Sequence, residues 1–151
     1  MRKATYADIP FLNATMRLSK AHWAYDQAFM DAFMHKYSID ENYLDHHDVT
    51  LLCKEGDLIG YFSFTFHEDH TLELDHFFLH PSYIGKGLGK RLWKECCLVA
   101  IKLGATEFTL WSDPEAEPFY AKMGCEKIGV KQSPFMPDRY PPIMRYKLPA
   151  R

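Results

Sequence analysis

The 151-residue chain has little that would tie it to a membrane, to nucleic acid or to an oxidising compartment. No apolar run approaches the length needed to span a bilayer, and Met1 to Pro10 has no apolar core of signal-peptide length. There is no basic excess: 18 Lys and Arg stand against 20 Asp and Glu, a net charge of −2. Apart from one short basic stretch, Lys86 to Arg91, the cations are scattered, which argues against nucleic acid as a partner. The four cysteines, Cys53, Cys96, Cys97 and Cys125, form no C-x-x-C pair, and neighbours Cys96 and Cys97 point to different sides of a helix. They read as reduced thiols in a cytoplasmic protein. Repeats, low-complexity tracts and linkers are also lacking. The one proline-rich stretch, Pro134 to Pro142, reads as a loop.

What is present suits one globular domain over residues 1–151. Hydrophobic residues are 47% and charged residues 25% of the chain, with a high aromatic content of 15%. That length buries a core without staples, and surplus aromatics can line a ligand pocket.

Periodicity and punctuation divide the chain. Arg2 to Thr5 is a short strand. Asp8 caps a helix reaching about His22, with Pro10 in its first turn. A second helix runs from Asp26 to His35 with Ala28, Phe29, Ala32 and Phe33 on one face, and Asp40 caps a short helical turn through Leu44. Val49 to Lys54 and Leu58 to His67 form a hairpin about Glu55-Gly56-Asp57, and Thr71 to Leu79 is another strand stopped by Pro81. After a glycine-rich loop, a helix places Leu88, Leu92, Cys96, Val99 and Leu103 on one face and ends at Gly104. Thr106 to Trp111 is a strand, Glu115 to Met123 a helix closed by Gly124, and Glu126 to Lys131 and Ile143 to Leu148 are the last strands. The order β-α-α-β-β-β-α-β-α-β-β describes an α/β protein with a mixed sheet and helices on its faces.

Leu79-His80-Pro81-Ser82-Tyr83-Ile84-Gly85-Lys86-Gly87-Leu88-Gly89-Lys90 carries the strongest chemical signal. A strand ends, glycines turn the chain, and a long helix starts. The helix start offers unpaired N–H groups and a positive dipole end, and glycines let backbone approach an anion. That is a phosphate cradle, with charge added by Lys86, Lys90 and Arg91. It is neither the P-loop nor the dinucleotide fingerprint. On these residues alone, a glycine-rich connection without a ligand is an equal reading.

Leu72 to Leu92 resembles the pyrophosphate motif of the GNAT acyl-CoA N-acyltransferase superfamily, in which a strand leads into [RQ]-x-x-G-x-[GA] and a helix. Gly87 and Gly89 match; Ile84 stands where Arg or Gln is usual, which weakens rather than abolishes cofactor binding. Asp113 to Cys125 resembles the family's N-x-x-A-x-x-[FL]-Y-x-K-x-G-F element. Ala116, Tyr120, Lys122 and Gly124 match, while Asp113 and Cys125 depart from it. Ser19 to Tyr25 is similar to an S-K-A-H-W-G-Y segment of a bacterial subgroup.

The resemblance implies a GNAT-like fold and acetyl transfer from acetyl-CoA to an amine acceptor, small molecule or peptide, in a ternary complex. It implies that central strands splay where Leu79 and Trp111 end. Pyrophosphate would lie on Ile84, Gly85, Lys86, Gly87, Leu88, Gly89 and Lys90, with Asp113 and Tyr120 also at the cofactor. The Leu79 N–H would polarise the thioester carbonyl. Tyr120 would protonate the leaving thiolate, a task for a phenol of pKa about 10, or else be a packing residue. Glu73 would be the general base, its pKa raised beside apolar groups, or a solvated carboxylate; His76 and His80 are rival bases. Trp23 and Tyr25 would line the acceptor pocket, whereas Phe29 and Phe33 read as core. His46-His47 and His67-Glu68-Asp69-His70 have no metal-ligand spacing, so no metal is expected. Neither a membrane nor nucleic acid is expected as a partner. A homodimer involving Pro134 to Pro142 is open, as are a non-catalytic acyl-CoA module and a longer acyl group accommodated by Tyr61 to Phe66.

Overall fold

A computed structural model describes residues 1–149. The last two residues of the expected domain, Ala150 and Arg151, lie outside the described residues. The elements are β1 (Arg2–Lys3), α1 (Ile9–Ala21), α2 (Gln27–Tyr37), α3 (Glu41–His46), β2 (Val49–Lys54), β3 (Asp57–Phe66), β4 (Leu72–Leu79), α4 (Leu88–Lys102), β5 (Glu107–Trp111), α5 (Glu117–Lys122), β6 (Glu126–Val130) and β7 (Pro142–Lys147). The strands form one sheet in the order β1-β2-β3-β4-β5-β7-β6. It is mixed: β1–β2, β2–β3, β5–β7 and β6–β7 pair antiparallel, and β4–β5 pair parallel. No described helix is long and apolar enough to cross a membrane.

The chain divides into two compact units. The first comprises residues 1–64 and 76–92. Its core holds Leu12 and Met16 of α1, Phe29, Met30 and Phe33 of α2, and Leu51, Ile59, Tyr61 and Phe62 of the sheet. Asp26 and Asp40 cap α2 and α3, their carboxylates accepting from the N–H groups of Phe29 and Tyr43, both at 2.8 Å. Ala28 is exposed, so α2 buries a face centred on Phe29, Met30 and Phe33. Asp8 departs from the expected cap. It precedes α1 but makes no cap bond to it. Its carboxylate instead receives both guanidinium nitrogens of Arg2 at 2.8 Å and the Thr5 N–H at 2.8 Å. The Arg2 guanidinium, against some desolvation, holds that carboxyl down at about 2. Gly60 is required by space: a Cβ there would meet the Phe78 carbonyl oxygen at 2.7 Å.

The second unit comprises residues 65–75 and the chain from Trp93 onward. Leu72 and Leu74 of β4, Phe108 and Leu110 of β5, and Met144 of β7 are buried in it. Glu73 and Leu74 pair with Thr109 and Leu110. The buried residues of α4 are Leu92, Trp93, Cys96 and Ala100, whereas Leu103 is exposed. The apolar face is therefore rotated from the expected stripe. Gly104 closes the helix with φ of +84°, its N–H reaching Ile101 at 2.9 Å and the Ala105 N–H reaching Ala100 at 3.1 Å.

Candidate active site

The cradle lies in the first unit. Beyond Leu79, the His80 N–H reaches the Ile59 carbonyl at 2.7 Å, and Pro81–Tyr83 make one 3-10 turn. The Ser82 N–H donates to His80 Nδ1 at 3.2 Å. That bond places the proton of the neutral ring on Nε2, so His80 offers no open lone pair to an amine. The Ile84 N–H bonds Pro81 at 3.1 Å, and the next ordinary bond is Arg91 to Gly87 at 3.3 Å. Among the described residues, the N–H groups of 85–90 make no backbone hydrogen bond of ordinary geometry. Gly85 and Gly87 have φ of +82° and +77°, and a Cβ on either would meet nothing within 4 Å. Dihedral angle rather than crowding therefore demands glycine here.

Lys86, Lys90 and Arg91 are exposed, Lys86 Nζ lying 5.8 Å from the Tyr83 ring centre, and no acidic residue occurs from Pro81 to Lys94. Donors without backbone acceptors, a helix start and three cations fit a pyrophosphate. Ile84 is exposed and brings no charge. The side chain in the usual Arg or Gln place is absent, whereas the N–H groups of 85–90 remain without backbone acceptors.

His76, also in the first unit, is buried among the rings of Tyr43, Tyr61 and Phe78, at 5.2, 6.0 and 5.8 Å. Near the N-terminus, Trp23 is exposed in the turn after α1 and meets His22 edge-on at 4.9 Å. Tyr25 stacks on Phe29 at 4.0 Å. Sequence reasoning gave Lys20 no role, yet its ammonium lies 5.4, 5.6 and 4.7 Å from the ring centres of Tyr25, Phe29 and Phe33. The aromatic spacing of four residues beside a lysine was the available signal. Phe33 in turn meets Phe78, one residue before Leu79, at 6.3 Å.

Glu73, Asp113 and Tyr120 lie in the second unit. The Glu73 carboxylate is 3.7 Å from His67 Nε2. Burial, then the like charge of Asp75, push its pKa up, while His67 and Lys131 oppose them. Lys131 Nζ lies 4.4 Å from the ring centre of Trp111. Neither His67 nor Lys131 had been singled out as a neighbour of Glu73.

Tyr120 is buried on α5, its ring 5.8 Å from Trp93 and 5.3 Å from Phe119. Burial, then Cys96, Cys125 and Asp113, push its pKa well up, so the phenol keeps its proton. The thiols are themselves shifted upward, chiefly by burial: Cys97 to about 11, Cys125 to about 12, and Cys96 well above the ordinary value. Asp113 shapes the entry to α5. Its Oδ1 accepts from the Glu115 N–H at 2.8 Å, and its carbonyl from the Ser112 hydroxyl at 2.7 Å and the Ala116 N–H at 2.9 Å. An asparagine has the same side-chain carbonyl, so aspartate preserves the turn and adds a charge. Gly124 ends α5 with φ of +104°, and the Cys125 N–H returns to the Tyr120 carbonyl at 2.9 Å.

The sequence profile described as the acetyltransferase (GNAT) family matches residues 15–125, which include both the cradle and Tyr120. The chain belongs to that family and is an acetyl-CoA-dependent acyltransferase. No curated protein matches it by sequence. Its fold is shared with a GCN5-related N-acetyltransferase from Rhodopseudomonas palustris, at 19% identity and a TM-score of 0.81 over 97% of this chain and 94% of that one. The paia N-acetyltransferase of Thermoplasma acidophilum, solved with coenzyme A, gives 22% and 0.77 over 97% and 96%. The yncA protein of Salmonella typhimurium, solved with acetyl-CoA, gives 18% and 0.71 over 99% and 94%.

Proposed function

We propose that the chain, acting as one catalytic domain, moves the acetyl group of acetyl-CoA to a primary amine by direct attack within a ternary complex. The observation that carries this is the cradle: glycines in left-handed conformation, followed by N–H groups without ordinary backbone bonds at the start of α4. Acetyl-CoA supplies an acetyl group activated as a thioester. The N–H groups of residues 85–90 and the cations Lys86 and Lys90 bind its pyrophosphate beside Ile84, and Asp113 holds the turn that presents Tyr120. Relatives solved with coenzyme A and with acetyl-CoA support that cosubstrate.

Glu73 takes the proton of the attacking amine. Its burial raises the pKa toward the range useful to a base near neutrality. As the C–N bond forms and the C–S bond breaks, the Leu79 N–H steadies the carbonyl oxygen and Tyr120 gives its proton to sulfur. The products are an acetamide and free coenzyme A. The phenol is protonated when the step begins, and its raised pKa makes it a weaker acid than a free phenol. Trp23 and Tyr25 contact the acceptor, with the exposed Trp23 the more available of the two. Tyr61, Phe62 and Ser63 are packed in the interior, which favours the short acetyl group over a longer chain. Four free cysteines support a cytoplasmic setting.

The test is release of coenzyme A thiol from acetyl-CoA across a panel of amines: a polyamine, free amino acids, an aminoglycoside and a peptide N-terminus. Amine-dependent release with stoichiometric amide supports transfer. Intact acetyl-CoA with every amine, alongside measurable acetyl-CoA binding, would replace it with the non-catalytic module.

A further inference from the structure

The turn joining β3 to β4 carries a side chain for which the reaction above has no role. The His67 N–H bonds the Thr71 carbonyl at 2.9 Å, and the His70 N–H bonds the His67 carbonyl at 2.9 Å. Asp69 Oδ1 accepts from the Thr71 N–H at 3.1 Å and its hydroxyl at 2.6 Å. His70 completes the turn with φ of +66°, a conformation that costs a non-glycine residue energy and persists where surrounding bonds enforce it. Both backbone groups of His67 are thus tied, and its ring is delivered to Glu73, with 3.7 Å between Nε2 and Oε2.

The charged groups that act on Glu73 come from three places. His67 is on the turn, Asp75 on the same strand and Lys131 on the segment after β6. Asp75 disfavours the carboxylate, whereas His67, when protonated, and Lys131 favour it. Among the described residues, His67 meets the carboxylate as an ion-pair partner, at 3.7 Å.

We propose that His67 is a positioning residue for Glu73, fixing the carboxylate by its imidazolium and setting the pH at which it becomes available as a base. This rests on the reading in which Glu73 accepts the amine proton. His67 acts through Glu73 and need touch neither acetyl-CoA nor the amine. Its loss leaves Asp75 opposed by Lys131 alone, so the carboxylate holds its proton to higher pH.

The test is a carbon-13 NMR titration of the full chain labelled at glutamate carboxyl carbons, with the Glu73 resonance assigned by its loss in Glu73→Gln. His67→Gln is expected to raise the Glu73 midpoint by about half a unit or more, since a nearby cation favours a carboxylate. His67→Lys, which keeps charge but not the ring, is expected to return the midpoint to or below the wild-type value. His67 is about half exposed, so both variants should fold. A midpoint equal in wild type and His67→Gln, or equally raised in both variants, overturns the proposal. The base reading fails separately: unchanged acetyl transfer in Glu73→Gln would remove Glu73 from the reaction whatever its titration shows.

Discussion

Tyr120 keeps its proton because the phenolate would be charged in an interior of aromatic rings and protonated thiols. In the proposed reaction that proton goes to sulfur, a role in bond breaking more than in binding. Tyr120→Phe is therefore expected to lower kcat by about 100-fold or more, the usual worth of a positioned acid, with acetyl-CoA affinity nearly unchanged. Steady-state kinetics with calorimetric binding would check it, and unchanged turnover would take the acid role from Tyr120. This residue was legible in the sequence because Tyr120, Lys122 and Gly124 lie within one short motif. His67 and Lys131 were not. Their relation to Glu73 depends on a turn geometry and on a segment distant in sequence, and neither leaves a periodic trace. Lys20 was missed for another reason: a lysine in an amphipathic helix ordinarily reads as solvated, and only the folded chain lays it over three rings.

At the scale of elements, strand and helix identities were well marked by proline, glycine and periodicity, and boundaries moved by one or two residues. Two details were not. The buried face of α4 includes Trp93 and Ala100 and omits Leu103, a rotation that the spacing of apolar residues, about 100° apart along the helix, did not fix. Asp8 was read as a cap by position, but Arg2 and Thr5 claim its carboxylate. That ion pair has a pH signature. The folded-state pKa of about 2 lies below the unfolded value of about 3.9, so its stabilisation is present above the latter and is lost as pH falls toward the former. Asp8→Asn should therefore melt lower than wild type at pH 7 and show a smaller further loss between about pH 4 and 2. Thermal melts across that interval measure the difference. The loop before α4 offers a sharper test. Gly87→Glu adds a carboxylate and a strained left-handed residue to the cradle. It should abolish acetyl-CoA binding while the fold survives, since the position is open. Normal affinity in that variant would place the pyrophosphate elsewhere.

For the whole molecule, the sequence conveyed a mixed sheet with early hairpins and later helical crossovers. It did not convey the order that sets β7 between β5 and β6, nor the pairing of Glu73 with Thr109. Such pairings depend on which edges are left open once the other strands have joined. Ligand linkage acts at the same scale. Acetyl-CoA at about 100 times its Kd stabilises the folded state by roughly 2.7 kcal/mol. In a chain of this size that should raise the melting midpoint by about 5–10 °C. No shift at millimolar acetyl-CoA would count against the cradle and the transfer reading together.

The shifted thiols have a consequence for the chemical safety of the catalyst. A thioester acylates any thiolate that reaches it, and a reactive cysteine beside Tyr120 would divert acetyl groups onto the enzyme itself. Burial pushes the Cys97 thiol up to about 11 and the Cys125 thiol up to about 12, so both stay protonated at pH 7. Burial thus holds Cys96 and Cys125, the two sulfurs that act on the Tyr120 phenol, in their unreactive thiol form.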